Sequence, residues 1–546
     1  MSAAPRLAGW AAAALLAACL LAPVLSLAAE AMGGSDVWPH LTAHVLPQAL
    51  RDTALLLAGV GLIVASLGTG CAWLVSAFEF PGRRWLEPAL LLPLAVPTYV
   101  VAYAYLDLLH PLGPVPSALR AALGLARPRD LALPDLRSLP GCTVLLGLVL
   151  YPYVYLPARA LFAMRAGTLL EAARILGAGP VRAFVRVALP LARPAIALGT
   201  GLALMEALND VGAAEFLGVR TLTVQVYATW VNRSDLAGAA QIALVMLASV
   251  VGLIGLERLA RGGRDYAGTG RRERPAARRS LRGWPAALAL GLGVLPVALG
   301  FLVPAGYLAV EAVRRLRFSG LPASLPREAL STVLYAGLAT ALTAAVGLLV
   351  AAAPGLLGRR AGGALIRLAG LGYAMPGTVL AVGLLAPLAA LDAGLAAAGG
   401  RLIGDVPALV GLGTGTALVA AYTLRFLNLA VGATEAGLAR IPAALPDAAR
   451  VLGRSRLATL ALVQVPLAWP AFAAGALLVF VDCAKELPAT LLLRPLNVET
   501  LATHLYGEAS RGTYEDGAVA ALLIVALGLL PVALLTRLPR TGLGGG

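Results

Sequence analysis

Five ionisable residues fall at two places in a chain otherwise poor in charge. Glu206 and Asp210 form one group, and Asp482, Lys485 and Glu486 form the other. Acids spaced by four share one face of a helix, so Glu206 goes with Asp210 and Asp482 with Glu486. Carboxylates in that arrangement offer oxygen to a hard cation. A route for such a cation must also let it go, so the five residues are a candidate substrate pathway and no stable metal site is expected. The structural alternative is that Lys485 pairs with a carboxylate, or that the acids cap loop backbone. His40 and His44 lie four apart, and a zinc site needs more ligands than that pair supplies. Cys19, Cys71, Cys142 and Cys483 lie far apart in apolar runs and read as small buried hydrophobes. The chain has no HExxH and no His/Asp or Cys/His cluster at one depth, so no catalytic residues are expected.

Lys485 carries a second implication. Of 43 lysines and arginines, it is the one lysine. A phosphate-cradling loop of the form G-x-x-x-x-G-K-[ST] needs a lysine that reaches the phosphates. Lys485 sits in Asp-Cys-Ala-Lys-Glu-Leu with no glycine loop. The chain is therefore expected to carry no such ATP site, and energy-driven work would draw on a partner or a gradient.

The elements that position these residues follow from composition. The 546 residues are 59% hydrophobic and 13% charged, with a mean hydropathy of +0.83. Soluble chains are about 45–50% apolar and about 25% charged. An ordinary soluble enzyme, a disordered protein and a nucleic-acid binder are excluded, despite a net charge of +15. A bilayer-crossing helix takes about 20 mostly apolar residues. Twelve segments qualify, at roughly 7–29, 53–78, 88–109, 141–158, 194–209, 238–256, 284–310, 331–354, 368–390, 406–424, 471–485 and 517–536. The first resembles a signal peptide in its basic start and small-residue exit, but its apolar run is too long for one, and it reads as an uncleaved anchor. With the N-terminus inside, the segments assigned to the cytoplasm hold 28 of the 43 basic residues, as the positive-inside rule requires. Loops 110–140 and 311–330 run against the rule, with four arginines each.

The chain repeats itself. Thr53 matches Thr332, Gly68 matches Gly347 and Pro97 matches Pro376, at a shift of 279. Further on, the shift becomes 276, pairing Gly177 with Gly453, Pro190 with Pro466, Glu206 with Asp482 and Asp210 with Glu486. The reading is an all-α polytopic membrane protein with two parallel six-helix repeats, 1–256 and 284–546. They are joined by an arginine-rich linker, 257–283, with nine arginines against three acids. An even number of spans returns the chain to its starting side, so both halves share one orientation and corresponding loops share one face.

Two such loops carry the most informative motif. Glu171-Ala172-Ala173-Arg174-Ile175-Leu176-Gly177 is followed by nine residues and then Val187-Ala188-Leu189-Pro190. Asp447-Ala448-Ala449-Arg450-Val451-Leu452-Gly453 is followed by nine residues and then Val463-Gln464-Val465-Pro466. An acid leading a short helix favours the N-terminal end of its dipole. The alanines are strong helix formers, and the glycine permits a turn with φ > 0. The spacing predicts a docking element, present twice on one face.

This pattern resembles the conserved cytoplasmic loop of bacterial ABC importer permeases. The resemblance implies that Glu171, Ala172, Ala173, Gly177 and Pro190 contact one copy of an ATP-binding subunit, and Asp447, Ala448, Ala449, Gly453 and Pro466 the other. The departures are Val187 and Val463 for isoleucine, Val465 for leucine and Asp447 for glutamate, all conservative. It also implies a substrate-binding protein outside the membrane and no cofactor on this chain, ATP and Mg being held by the partners. The stretch Lys485-Glu486-Leu487-Pro488-Ala489-Thr490-Leu491-Leu492-Leu493-Arg494-Pro495 resembles the signature of the fused iron(III) permeases. This signature is less specific than the docking motif, because related fused permeases transport thiamine, polyamines or phosphonates. An acidic path suits ferric iron, a hard trivalent ion. The location implied is the bacterial inner membrane, with both termini in the cytoplasm and lipid around the spans. A gradient-driven transporter is the competing class, but it needs proton or sodium ligands at the membrane centre, whereas these acids cluster near one face. Tyr99, Tyr103 and Tyr105 either line the pathway or mark an interfacial belt. Gly177→Asp and Gly453→Asp are expected to uncouple transport while leaving the protein in the membrane.

Overall fold

The computed structural model describes residues 3–131, 133–175, 177–261, 278–402 and 410–537. Helices account for nearly all of them. Among the described residues, the only sheet is a parallel pair of two-residue strands, Phe78–Glu79 and Arg279–Ser280. Eleven helices among the described residues are long and apolar enough to cross a membrane, or twelve if the bent pair Arg83–Ala95 and Thr98–Leu108 counts as one span. The protein is a polytopic all-α membrane protein.

Three of the expected spans differ from what forms. The segment 88–109 is not one straight helix, because the chain bends by 91° between Ala95 and Thr98. Pro93 lies in a 3-10 turn, Leu92–Ala95, and Pro97 is extended before the next helix. Each proline removes a backbone donor, and together they end the ladder rather than kink it. The segment 368–390 breaks at the same relative place, with one helix ending at Ala374 and the next starting at Gly377, either side of Pro376. The tenth span lies later than 406–424, at Thr416–Leu438. Residues 406–409 of that expected segment fall outside the described residues.

Compactness groups the chain differently from the sequence repeat. One unit comprises 1–43, 225–247 and 323–504, and the other comprises 44–224, 248–322 and 505–546. In the first unit, Leu20, Val350, Leu365, Leu427 and Val431 form one apolar cluster. Met375, Leu380, Leu384, Ala421 and Leu493 form another. Ser35 Oγ donates to Asp235 Oδ2 at 2.5 Å, tying the segment after the first helix to residues two hundred positions on.

Within each unit, small residues let helices approach closely, as they do where lipid removes the hydrophobic drive for association. In the second unit, a Cβ on Gly68 would lie 2.7 Å from the Tyr151 carbonyl oxygen and from Val154 Cβ. In the first, a Cβ on Gly347 would lie 2.7 Å from Ala430 Cβ. The repeat recurs in this geometry, since Val154 and Ala430 stand 276 apart. It recurs again where the Leu222 amide donates to Thr53 Oγ1 at 3.0 Å and the Leu501 amide to Thr332 Oγ1 at 2.9 Å. Gly68→Val is expected to destabilise the protein by about 1–3 kcal/mol through overpacking. The check is the thermal unfolding midpoint of the purified chain in detergent, with exposed Gly70→Val, which meets no neighbour, as the control. Equal midpoints for the two variants would contradict the close crossing.

Candidate functional site

The two loops expected to dock share a backbone plan. Gly177 has φ +81° and Gly453 φ +84°, a conformation that favours glycine. The Ala178 amide donates to the Ala173 carbonyl at 2.9 Å, and the Arg454 amide to the Ala449 carbonyl at 3.0 Å. This six-to-one bond ends each helix in a Schellman turn. Each loop then passes through one π-helical turn, Phe184–Ala188 or Leu460–Gln464, again 276 apart. Pro190 and Pro466 stand in the first turn of the helices that follow, Leu189–Asn209 and Val465–Ala484.

The acids differ between the loops. Asp447 lies in the first turn of the short helix Ala444–Val451, as expected, and pairs with Arg450. Glu171 does not lead a short helix. It lies near the C-terminal end of the long helix Pro152–Ile175. The side chains of Glu171 and Ala172 fall outside the described residues, and Ala173 is half-buried. In the second loop, Ala448 is exposed and Ala449 buried. Val451 and Leu452 are 87% and 82% exposed, so the helix presents an apolar tip that none of the described residues covers.

At the other end of the helices Leu189–Asn209 and Val465–Ala484, the expected carboxylate faces are not realised. Both helices stop before the second acid of the pair. Asp210 and Glu486 lie in the following turns and cap the starts of the next short helices, Gly212–Phe216 and Pro488–Leu493. Asp210 Oδ1 accepts from the Ala213 amide at 2.8 Å. Glu486 accepts from the Ala489 amide at 3.0 Å and the Thr490 amide at 3.1 Å. Asp210 and Glu486 are buried, while Glu206, Asp482 and Lys485 are half-exposed. Lys485 Nζ pairs with Asp482 Oδ1 at 2.8 Å. Both parts of the structural alternative occur together: a lysine–carboxylate pair and a capping role for the acids.

Glu486 also has partners that its counterpart lacks. Arg425 Nη1 lies 3.9 Å from Glu486 Oε1. Thr490 Oγ1 donates to Glu486 Oε2 at 2.8 Å and lies 2.6 Å from the Tyr422 hydroxyl. Gly377 is the close wall, where a Cβ would lie 2.6 Å from Arg425 Nη1. At a shift of 276, the first half has Leu146, Val149 and Ala214 in place of Tyr422, Arg425 and Thr490. Arg425 was expected just beyond the span 406–424, on the cytoplasmic side, but it lies buried within the helix Thr416–Leu438. Its signal was an arginine inside an apolar run, the kind of residue that is costly in a membrane and faces a partner or a cavity.

The tyrosines are not an exposed belt. Tyr99 and Tyr103 are 4% and 1% exposed. The Tyr103 hydroxyl donates to the Tyr514 carbonyl, and the Tyr105 hydroxyl to the Leu299 carbonyl at 2.6 Å. Near them, the Tyr506 hydroxyl donates to Glu215 Oε2 at 2.7 Å and its ring stacks on Phe216. Among the described residues, no group of three or more His, Cys, Asp or Glu could hold a metal ion. Cys71, Cys142 and Cys483 are buried, but Cys19 is exposed, contrary to expectation.

The many apolar spans define a multi-pass membrane protein, in which two glycine-turned loops recur 276 residues apart. Comparison with known proteins makes the class specific. The family described as binding-protein-dependent transport system inner membrane component matches residues 58–262. The chain is 30% identical to the molybdenum transport system permease protein ModB of Escherichia coli K12 over 204 residues, which cover 36% of this chain and 86% of that one. It is 30% identical to the putative 2-aminoethylphosphonate transport system permease protein PhnU of Salmonella paratyphi A over 197 residues, 36% of this chain and 67% of that one. It is 24% identical to the Fe(3+)-transport system permease protein FbpB 2 of Haemophilus influenzae over 497 residues, 90% of each. The chain belongs to the family of binding-protein-dependent transport system inner membrane components, the permease subunits of ABC importers. Members of this family work with ATP-binding subunits and substrate-binding proteins.

Proposed function

We propose that this chain forms the membrane-spanning part of an ABC importer for ferric iron, with both six-span repeats fused in one polypeptide. The observation that carries the substrate is the extent of the likeness to the Fe(3+) permease, 90% of both chains. The phosphonate and molybdenum permeases match only 36% of this chain. An extracytoplasmic protein delivers iron to the outer face. Two copies of an ATP-binding subunit, holding ATP and Mg, sit on the loops at 171–190 and 447–466. Their closure shifts the loops, and the repeats move between outward- and inward-open states. The chain lies in the bacterial inner membrane with both termini cytoplasmic, which the distribution of arginine supports. Glu206 in one repeat, and Asp482 and Lys485 in the other, are the candidate contacts for the cargo, while Asp210 and Glu486 hold the neighbouring turn in each. Weak, half-exposed carboxylates suit a cargo that must be released.

The second reading, a permease for an oxyanion such as a phosphonate or molybdate, has the two higher-identity relatives in its favour. Competition separates them. Proteoliposomes holding this chain, its ATPase and its binding protein should take up radiolabelled ferric iron. Excess 2-aminoethylphosphonate, molybdate or thiamine should leave that uptake unchanged. Uptake of labelled phosphonate or molybdate with none of iron would transfer the assignment to the oxyanion.

A further inference from the structure

A cleft of ≈ 450 Å³ opens where two spans meet water, lined among others by Glu79, Arg83, Arg84, Trp85, Ser280 and Arg282. One wall follows the helix Leu46–Ala77, and the other leads into the helix Trp284–Val297. The paired strands Phe78–Glu79 and Arg279–Ser280 hold the walls together, and the Leu281 amide donates to the Glu79 carbonyl at 2.8 Å. By connectivity, this cleft lies on the same face as the docking loop at 171–190.

Its charge balance is positive. Arg83 is buried and reaches Glu79 and Glu87, both at 2.9 Å. Arg159 also pairs with Glu87, and Arg278 lies 3.7 Å from Glu79. Three guanidinium groups thus already meet two carboxylates. Burial, and then repulsion from Arg83, lowers the pKa of Arg278. Arg84, Arg279 and Arg282 add three exposed charges that form no ion pair among the described residues. An anion entering the cleft would meet an uncompensated excess of arginine, whose planar fork suits phosphate oxygens.

The surroundings distinguish a lipid from a soluble ion. Trp85 and Trp284 are 84% and 77% exposed, and tryptophan is enriched at the level of membrane headgroups. Leu288, Leu292 and Leu295 are exposed along the helix that Trp284 begins. Their spacing continues one face below Trp284 for about 16 Å. A soluble phosphate has no use for that apolar track, whereas an acyl chain does.

We propose that this cleft binds the headgroup phosphate of an anionic phospholipid, with its acyl chains lying along the Trp284–Leu295 face. The test uses the full chain in phosphatidylcholine nanodiscs containing a minor fraction of phosphatidylglycerol, with bromine on the acyl chains of one lipid or the other. The fluorescence of Trp284 is taken by difference from Trp284→Phe. Brominated phosphatidylglycerol is expected to quench it far more, mole for mole, than brominated phosphatidylcholine. At about 1 kcal/mol for each surface arginine, the double variant Arg84→Gln/Arg282→Gln should reduce that preference roughly thirty-fold. Arg84→Lys/Arg282→Lys should keep most of it, which separates loss of charge from loss of fold. Excess soluble glycerol phosphate should leave the quenching unchanged. Equal quenching by the two lipids, an unchanged preference in the glutamine variant, or displacement by glycerol phosphate would each overturn the proposal. The last of these would assign the cleft to a soluble phosphate.

Discussion

Replacing both Val451 and Leu452 with glutamate should strip one ATP-binding subunit from the assembled transporter. The two side chains are 87% and 82% exposed, so the change leaves the interior of the chain untouched and membrane levels should not fall. On the partner's surface the same change is severe. A buried charge left without a partner costs about 3–5 kcal/mol, which is at least a hundred-fold in affinity for roughly 3 kcal/mol. The loop at 171–190 is unaltered, so the mass of the purified complex should drop from two ATPase copies per chain to one. Uptake should fall at least about ten-fold, since 1.4 kcal/mol already corresponds to a factor of ten. Two retained copies with undiminished uptake would remove the second loop from the docking role.

The second large effect is expected at Arg425. Glu486 is buried and its carboxylate lies 3.9 Å from the Arg425 guanidinium. Arg425→Leu leaves that carboxylate with only its hydrogen bonds from Ala489 and Thr490. Breaking a buried pair on one side costs about 3–5 kcal/mol, which should appear as a much lower unfolding midpoint in detergent. Adding Glu486→Gln removes the orphaned charge, so the double variant should recover part of the loss. Strictly additive losses in this cycle would show that the two side chains do not interact. The corresponding first-half change, Val149→Ala, removes only apolar volume and should cost less. Val149 is buried where the second half has its arginine.

Much of this architecture was legible in the sequence because the bilayer imposes a length. Runs of about twenty apolar residues have few other uses, and ten of the twelve inferred positions coincide with helices or with the bent pair. The paired loop turns were legible because Gly177 and Gly453 recur in matched surroundings, and both adopt the left-handed backbone that makes glycine useful. The capped turns were not legible. A spacing of four places Glu206 with Asp210 only while the helix continues, and both helices end first. Local signs existed in Gly212 and Pro488, two residues beyond each second acid, which favour a new start rather than continuation. The bend at Ala95–Thr98 was missed for a related reason. Proline is tolerated within membrane helices, so Pro93 and Pro97 did not by themselves mark a break. The grouping of residues 1–43 and 225–247 with 323–504 depends on pairs such as Ser35 with Asp235, which no local periodicity encodes.

The most direct test of the central claim is uptake of radiolabelled ferric iron into proteoliposomes holding this chain, its ATP-binding subunit and the loaded binding protein. ATP is supplied on the side of the docking loops, and an uncoupler is present throughout. A permease driven by partners bound to those loops should accumulate iron under these conditions and stop when ATP is replaced by a non-hydrolysable analogue. Uptake that persists without ATP, follows an imposed proton or sodium gradient and ceases with the uncoupler would contradict that claim.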